Sequence, residues 1–305
     1  MATPLRLVIS QIRSGLSNSN PWQALRRVGT IAAVVAVLVS VGVGAATADR
    51  VIAHARRQTA APAVSRSIVI DNRRLALVVG NSNYPDADAP LPQPVNDARV
   101  LAAALRKQGF GVELVMNGSR DDLTNAIARL EENVRSDSIV LVFFSGYAVQ
   151  SDGENYLIPI DATIWLEDDV RRDGVGLNGL LSELKQRGAR VRLAIIDASR
   201  RNPYERRFRD YSHGLAPIEA ASNGIVLSAA ASDEVVDDTS EPNGVLVSEL
   251  LENVSSSPTS AEELFDRTRR SVARVTRDRQ IPIVSSALTD DVRFDSGPGE
   301  PKPSS

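Results

Sequence analysis

Apolar and polar positions follow two rhythms through the central part of the chain. Short apolar runs predict strands at Leu75–Val79 (LALVV), Val112–Val115, Ile139–Phe144 (IVLVFF) and Val191–Ile196, with Ile225–Leu227 as the core of a fifth. The third run is apolar at every position, the pattern of a parallel strand covered on both faces. Between these runs the spacing becomes helical. Asn96 is expected to cap a helix that carries Asp97 in its first turn and runs to Gln108 before Gly109 stops it. Asp121–Val134 aligns Leu123, Ile127, Leu130 and Val134 on one face, and Leu177–Lys185 and Ala261–Thr276 also read as helices. Such alternation predicts an α/β domain: a doubly wound, mostly parallel sheet with helices on both faces. Ligands of these sheets sit just beyond the carboxyl ends of strands. Two polar tips stand there, Ser145-Gly146-Tyr147-Ala148 and the segment from Asp197 to Pro203. Helix caps and turns are the ordinary use of such tips.

The amino end has a different pattern. Residues 1–27 hold Arg6, Arg13, Arg26 and Arg27 and no acid, and Val28–Ala48 is 21 residues without a charge. As a helix at ~1.5 Å per residue that run matches a hydrocarbon layer of about 30 Å. Two readings compete. Ala46-Thr47-Ala48 suits a signal-peptide cleavage site, whereas the length of the run and of its basic lead suits an uncleaved anchor. The expectation is a single transmembrane helix, with the Arg excess holding the amino end inside and the domain on the periplasmic side. Secretion to the periplasm after cleavage is the alternative. Residues 49–66 then form a linker, 67–295 the folded domain, and the Pro/Gly/Ser-rich 296–305 a disordered tail.

Composition removes much chemistry. The chain of 305 residues has no Cys, which excludes disulfides, thiolate metal sites and a thiol nucleophile. Its two His, His54 and His213, leave almost nothing for a metal site, so neither a metal nor a cofactor is expected. The net charge of -3 lacks the basic excess of a nucleic-acid binder, and no nucleic-acid partner is expected.

Six stretches carry a family resemblance: LALVVGNSNY (75–84), PLPQPVNDA (90–98), FFSGYAVQSDGENYLIPIDA (143–162), LAIIDASRRNP (193–203), HGLAPIEA (213–220) and QIPIVSSAL (280–288). In these the chain resembles the caspase-like peptidases, most closely the bacterial metacaspase-like (orthocaspase) branch. The resemblance implies a caspase-like fold and a His/Cys dyad, on Ser-Gly-His-Gly after the third strand and Asp-Ala/Ser-Cys after the fourth. Here the His position is Tyr147 and the Cys position is Ser199. Their separation of 52 residues agrees with the roughly 50 of caspases. A serine hydroxyl needs a neighbouring base. A phenol with a pKa near ~10 stays protonated at neutral pH and cannot be that base. Ala148 stands where the family has the Gly whose N–H is associated with the oxyanion hole, and loss of one such donor can cost ~10²–10³ in rate. By the same resemblance Asp97 and Asp197 line a pocket for a basic side chain, with Ser145 beside it. A carboxylate pair suits a guanidinium. Each acid also has a plain structural use, Asp97 as a first-turn helix acid and Asp197 as a turn residue.

The resulting expectation is a membrane-tethered pseudopeptidase that binds a basic (Arg/Lys) peptide or partner protein without cleaving it, a catalytically competent relative being one candidate partner. The alternatives are altered hydrolase activity through Ser199, with His213 as the one candidate base, and a structural scaffold in the envelope. Three further signals are discounted. Gly174–Gly179 spells G-x-G-x-x-G after a charged stretch rather than a strand. The Arg-rich loop around Tyr204 and Phe208 is expected to be solvated or docked on the domain itself. Glu167-Asp168-Asp169 lacks the spacing of a calcium loop and is expected to be a solvated loop.

Overall fold

The computed structural model describes residues 73–85, 90–208, 214–236, 239–256 and 259–294. The basic segment 1–27, the apolar run 28–48, the linker 49–66, the tail 296–305 and His213 lie outside the described residues. Among the described residues, no helix is long and apolar enough to cross a membrane.

In chain order the elements are β1 (Arg74–Gly80), α1 (Pro94–Lys107), β2 (Gly111–Met116), α2 (Arg120–Asn133), β3 (Ile139–Ser145), β4 (Ala148–Ser151), β5 (Glu154–Leu157), α3 (Glu167–Asp173), β6 (Val175–Gly176), α4 (Leu177–Gln186), β7 (Val191–Asp197), β8 (Gly224–Ser228), α5 (Val245–Ser256), α6 (Ala261–Thr276) and β9 (Ile283–Ser286). Six strands form one sheet in the order β2-β1-β3-β7-β8-β9. The first five are parallel and β9 is antiparallel to β8. The expected mixed, mostly parallel α/β architecture is therefore present.

Alternate residues of each strand feed two separate cores. Ala76 and Val78, Leu141 and Phe143, Leu193 and Ile195 pack on one face with Leu101 and Leu105 of α1, Leu246 and Leu250 of α5, and Leu264 and Phe265 of α6. Leu75, Leu77 and Val79, Val140 and Val142, Ala194 and Ile196 pack on the other with Leu123 and Leu130 of α2 and Leu180 and Leu184 of α4. Each aliphatic side chain taken fully from water contributes roughly 1.5–3 kcal/mol, so this two-faced burial is the main stabilising term.

Several elements depart from the sequence expectation. β4, β5 and β6 form a second, three-stranded antiparallel sheet beyond the carboxyl end of β3. The acids Glu167-Asp168-Asp169 open α3 instead of forming a solvated loop. The Asp169 carboxylate accepts the backbone N–H groups of Trp165 and Leu166 at 2.9 Å each, which fixes the turn from which the helix starts. Within Gly174–Gly179, Val175-Gly176 is the β6 edge of the small sheet, not the first strand of a βαβ unit. Asn96 caps nothing: α1 begins two residues earlier, at Pro94, whose ring presets the helical φ.

The sheet order reverses at β1, with β2 on one side and β3 on the other. Crevices form at the carboxyl ends of strands flanking such a switch. Register brings Gly80, Ser145 and Asp197 side by side there.

Candidate functional site

Asp97 reaches the crevice because α1 lies directly on the end of β1. A side chain at Gly80 would overlap the Pro94 carbonyl oxygen and come within 2.6 Å of the Ala98 Cβ, so only glycine permits the approach. Asp197 arrives as the last residue of β7, and Ser145 as the last of β3. The three residues that the family resemblance implies for a basic-side-chain pocket thus stand at one end of the sheet. Both carboxylates border Gly244. A Cβ on that glycine would stand 3.1 Å from Asp97 Oδ2 and 3.1 Å from Asp197 Oδ2.

The pair is buried. Asp97 is 0% exposed and Asp197 6%. Asp97 Oδ1 accepts the Asn243 side-chain amide at 2.8 Å and the Gly244 N–H at 3.0 Å, while Oδ2 has no hydrogen-bond partner. Burial first, and the Asp197 carboxylate second, push the Asp97 carboxyl up to about 7; the two hydrogen bonds and the Arg200 guanidinium act in the opposite sense. Arg200 is itself buried, donating to the Gly146 carbonyl at 3.2 Å and to the Asp197 carbonyl. The only cation brought into this cluster among the described residues thus belongs to the chain itself.

Tyr147 and Ser199 follow the same two strands by two residues. Ser199 is 1% exposed, and its Oγ has no hydrogen-bond partner. None of the described residues is placed to take its proton. Ser145 Oγ is likewise buried and without a partner. The ring of Tyr147 packs edge-on against Tyr84, centroids 4.9 Å apart. The Tyr84 hydroxyl accepts the Tyr147 N–H at 3.0 Å and donates to the Ile158 carbonyl at 3.1 Å. It thereby extends the β4–β5 hairpin by one bridging group. Gly146 makes room for it, since a Cβ there would overlap the Tyr84 oxygen. Burial raises the Tyr84 phenol far above its ordinary value, so it stays protonated and can hold both bonds.

The Arg-rich loop docks on the domain. Beyond Arg200, Arg207 donates to the Ile164 carbonyl at 2.6 Å and lies over the Trp165 ring at 4.6 Å, and Arg201 pairs with Glu205 at 3.0 Å. Asn155 fastens the following segment, giving its amide to the Ala216 carbonyl at 3.0 Å and accepting the Ala216 N–H at 2.9 Å. Among the described residues no group of His, Asp and Glu is disposed to hold a metal ion.

Sequence reasoning did not anticipate Arg200, Gly244 or Asn243 in this cluster. Arg200 lies within the polar tip Asp197–Pro203, but nothing in its pattern separates a buried guanidinium from the exposed ones nearby. No curated protein matches the sequence significantly. A family model described as the caspase domain matches residues 73–293, which takes in every strand and helix above. That match covers well over half of the chain and agrees with its six-stranded sheet, and the chain therefore belongs to the caspase domain family.

Proposed function

We propose that this domain is a pseudopeptidase of the caspase family that engages a basic side chain of a peptide or partner protein at Asp97 and Asp197 and does not cleave it. The observation that carries the first half is the convergence of two carboxylates at the switch point of the sheet, one of them with an oxygen that nothing satisfies. An isolated carboxylate oxygen buried without a donor is costly, and a guest guanidinium supplies two donors in the matching geometry. The second half rests on Ser199. Its hydroxyl is buried with no hydrogen-bond partner among the described residues, and Tyr147 in the partner position has its ring packed on Tyr84. A hydroxyl so placed is not a nucleophile of useful strength.

On this reading, the apolar run 28–48 tethers the domain to a membrane on its periplasmic face, and the tethered domain presents its pocket to a partner, a competent relative being one candidate. Titration calorimetry with a short arginine peptide and its norleucine counterpart tests the proposal. Binding of the arginine peptide alone is expected, with loss of affinity in Asp197→Ala. Equal affinity for both peptides, or no change in Asp197→Ala, refutes the pocket. A fluorophosphonate probe is expected to leave Ser199 unlabelled; an adduct that disappears in Ser199→Ala would refute the pseudoenzyme.

A further inference from the structure

The acid pair lies beneath a strap. Thr239–Gly244, which leads into α5, crosses it and is stitched to the start of α1 by side chains. The Gln93 amide donates to the Thr239 carbonyl at 3.0 Å, the Thr239 hydroxyl at 2.8 Å and the Glu241 carbonyl at 3.1 Å. The Asn96 amide donates to the Pro242 carbonyl at 3.0 Å and to Asn243 Oδ1 at 3.1 Å. Asn243 and Gly244 complete the seam on Asp97 itself. Beneath it, a cavity of about 20 Å³ bordered by Gln93, Asp197, Ser199, Arg200, Thr239 and Gly244 remains. That is the room of a single water molecule, too little for a guanidinium.

What holds the strap is polar. Thr239, Ser240, Glu241 and Pro242 are all exposed, so the segment itself contributes no buried apolar side chain. Segments with little apolar burial open at a small fraction of the free energy of global unfolding. Under it the Asp197 carboxylate of β7 faces Asp97, and the repulsion is offset by Arg200 from the loop after β7 and by the strap's own Asn243 and Gly244 donors.

We propose that Thr239–Gly244 is an autoinhibitory strap, and that a basic side chain reaches Asp97 and Asp197 only when the strap lifts from Gln93, Asn96 and Asp97. This rests on the reading of the acid pair as a basic-side-chain pocket and adds its regulation. The strap acts by population: the apparent affinity for a guest is the open-pocket affinity reduced by the fraction of molecules that are open.

The test uses the full chain in three forms: the parent, the double change Gln93→Ala/Asn96→Ala, and Asn243→Ala, which breaks the seam from the strap side. A short arginine peptide is titrated into each, and amide hydrogen exchange is followed over residues 239–251. With fewer than a tenth of parent molecules open and most molecules of each variant open, both variants bind the peptide about tenfold more tightly. Their gain is lost when Asp197→Ala is added, and exchange in the strap is faster than in the parent. Equal, Asp197-dependent binding in all three forms overturns the strap and leaves the pocket standing. Absence of arginine binding in every form, with exchange accelerated in the variants, overturns the pocket and the gating with it. Unchanged exchange in both variants shows that these bonds do not hold the segment, which also overturns the strap.

Discussion

Replacing Asp97 by an asparagine should make the protein more resistant to rising pH. In the folded chain the carboxyl is pushed from 3.8 up to about 7. The folded state therefore keeps a proton over a range in which the unfolded chain has released it. A group raised in this way contributes its full share below the unfolded value. That share falls as pH climbs from 3.8 to about 7, and the loss levels off above. Each unit of separation corresponds to about 1.36 kcal/mol, so the total is on the order of 4 kcal/mol. The substituted side chain would keep an oxygen for the Asn243 amide and the Gly244 N–H. Its own amide would replace the unpartnered Oδ2 beside Gly244, which Asp197 also borders. Urea unfolding of parent and Asp97→Asn, followed by far-ultraviolet circular dichroism from about pH 4 to about pH 8, gives the difference directly, because titrations common to both cancel. The two should be nearly equal at the acid end, and the variant should lead by a few kcal/mol at the alkaline end. A pH-independent difference, or a parent that gains on the variant as pH rises, would refute the burial of an acid pair.

Other perturbations read different parts of the design. Tyr84→Phe removes the hydroxyl between the Tyr147 N–H and the Ile158 carbonyl; the carbonyl keeps the Asn81 amide at 3.2 Å, and leaving the Tyr147 N–H unpaired should cost about 1–3 kcal/mol in a urea titration. Ser145→Ala and Ser199→Ala delete hydroxyls that have no partner, so each should leave the urea midpoint unchanged or slightly raised, against the usual cost of losing a buried hydrogen bond. Arginine-peptide affinity should rise with pH up to about 7 and then level, since the guest pairs with ionised Asp97 and the carboxyl must first release a proton held up to about 7; calorimetry across that range in buffers of different ionisation heat also counts the proton released.

The frame of the fold was legible because burial on both faces leaves a plain trace. β1, β3 and β7 are mostly apolar runs with no solvent face, and the expected strands fall within one residue of the observed ends. Ala261–Thr276 was legible for the complementary reason, a clean division between apolar and charged sides. β4 and β5 left no such trace. At four residues each, they are held by the Tyr84 bridge and the Asn155–Ala216 pair, contacts across long sequence distances. β9 contains outward-facing Ile283 and follows Pro282, and pairs on one side only. Asn96 misled because the capping rule reads composition locally. Pro94 had already started the helix, which left the Asn96 amide available to bind Pro242, 146 residues away. The two acids could be named from motifs, but their mutual approach could not. It is set by strand register and by the contact of α1 with Gly80.

The same distinction bears on what the acid pair is for. Buried charge is seldom retained for stability, since a neutral or apolar replacement of similar shape is commonly as stable or more so. Here the cost falls on one residue, whose second oxygen has no donor and whose charged neighbours include a like charge. A domain that used position 97 only to pack α1 on β1 would be better served by an amide, which would titrate nowhere. Strain of this kind persists where a structure performs some task beyond holding itself together. The strap sharpens the point. Its exposed residues add no core, yet the amides of Gln93 and Asn96 and the hydrogen-bonded oxygen of Asp97 are all directed at it. Covering a carboxylate pair with a segment held by polar contacts alone contributes little to folding, whereas it confers control over when that pair meets a cation from outside.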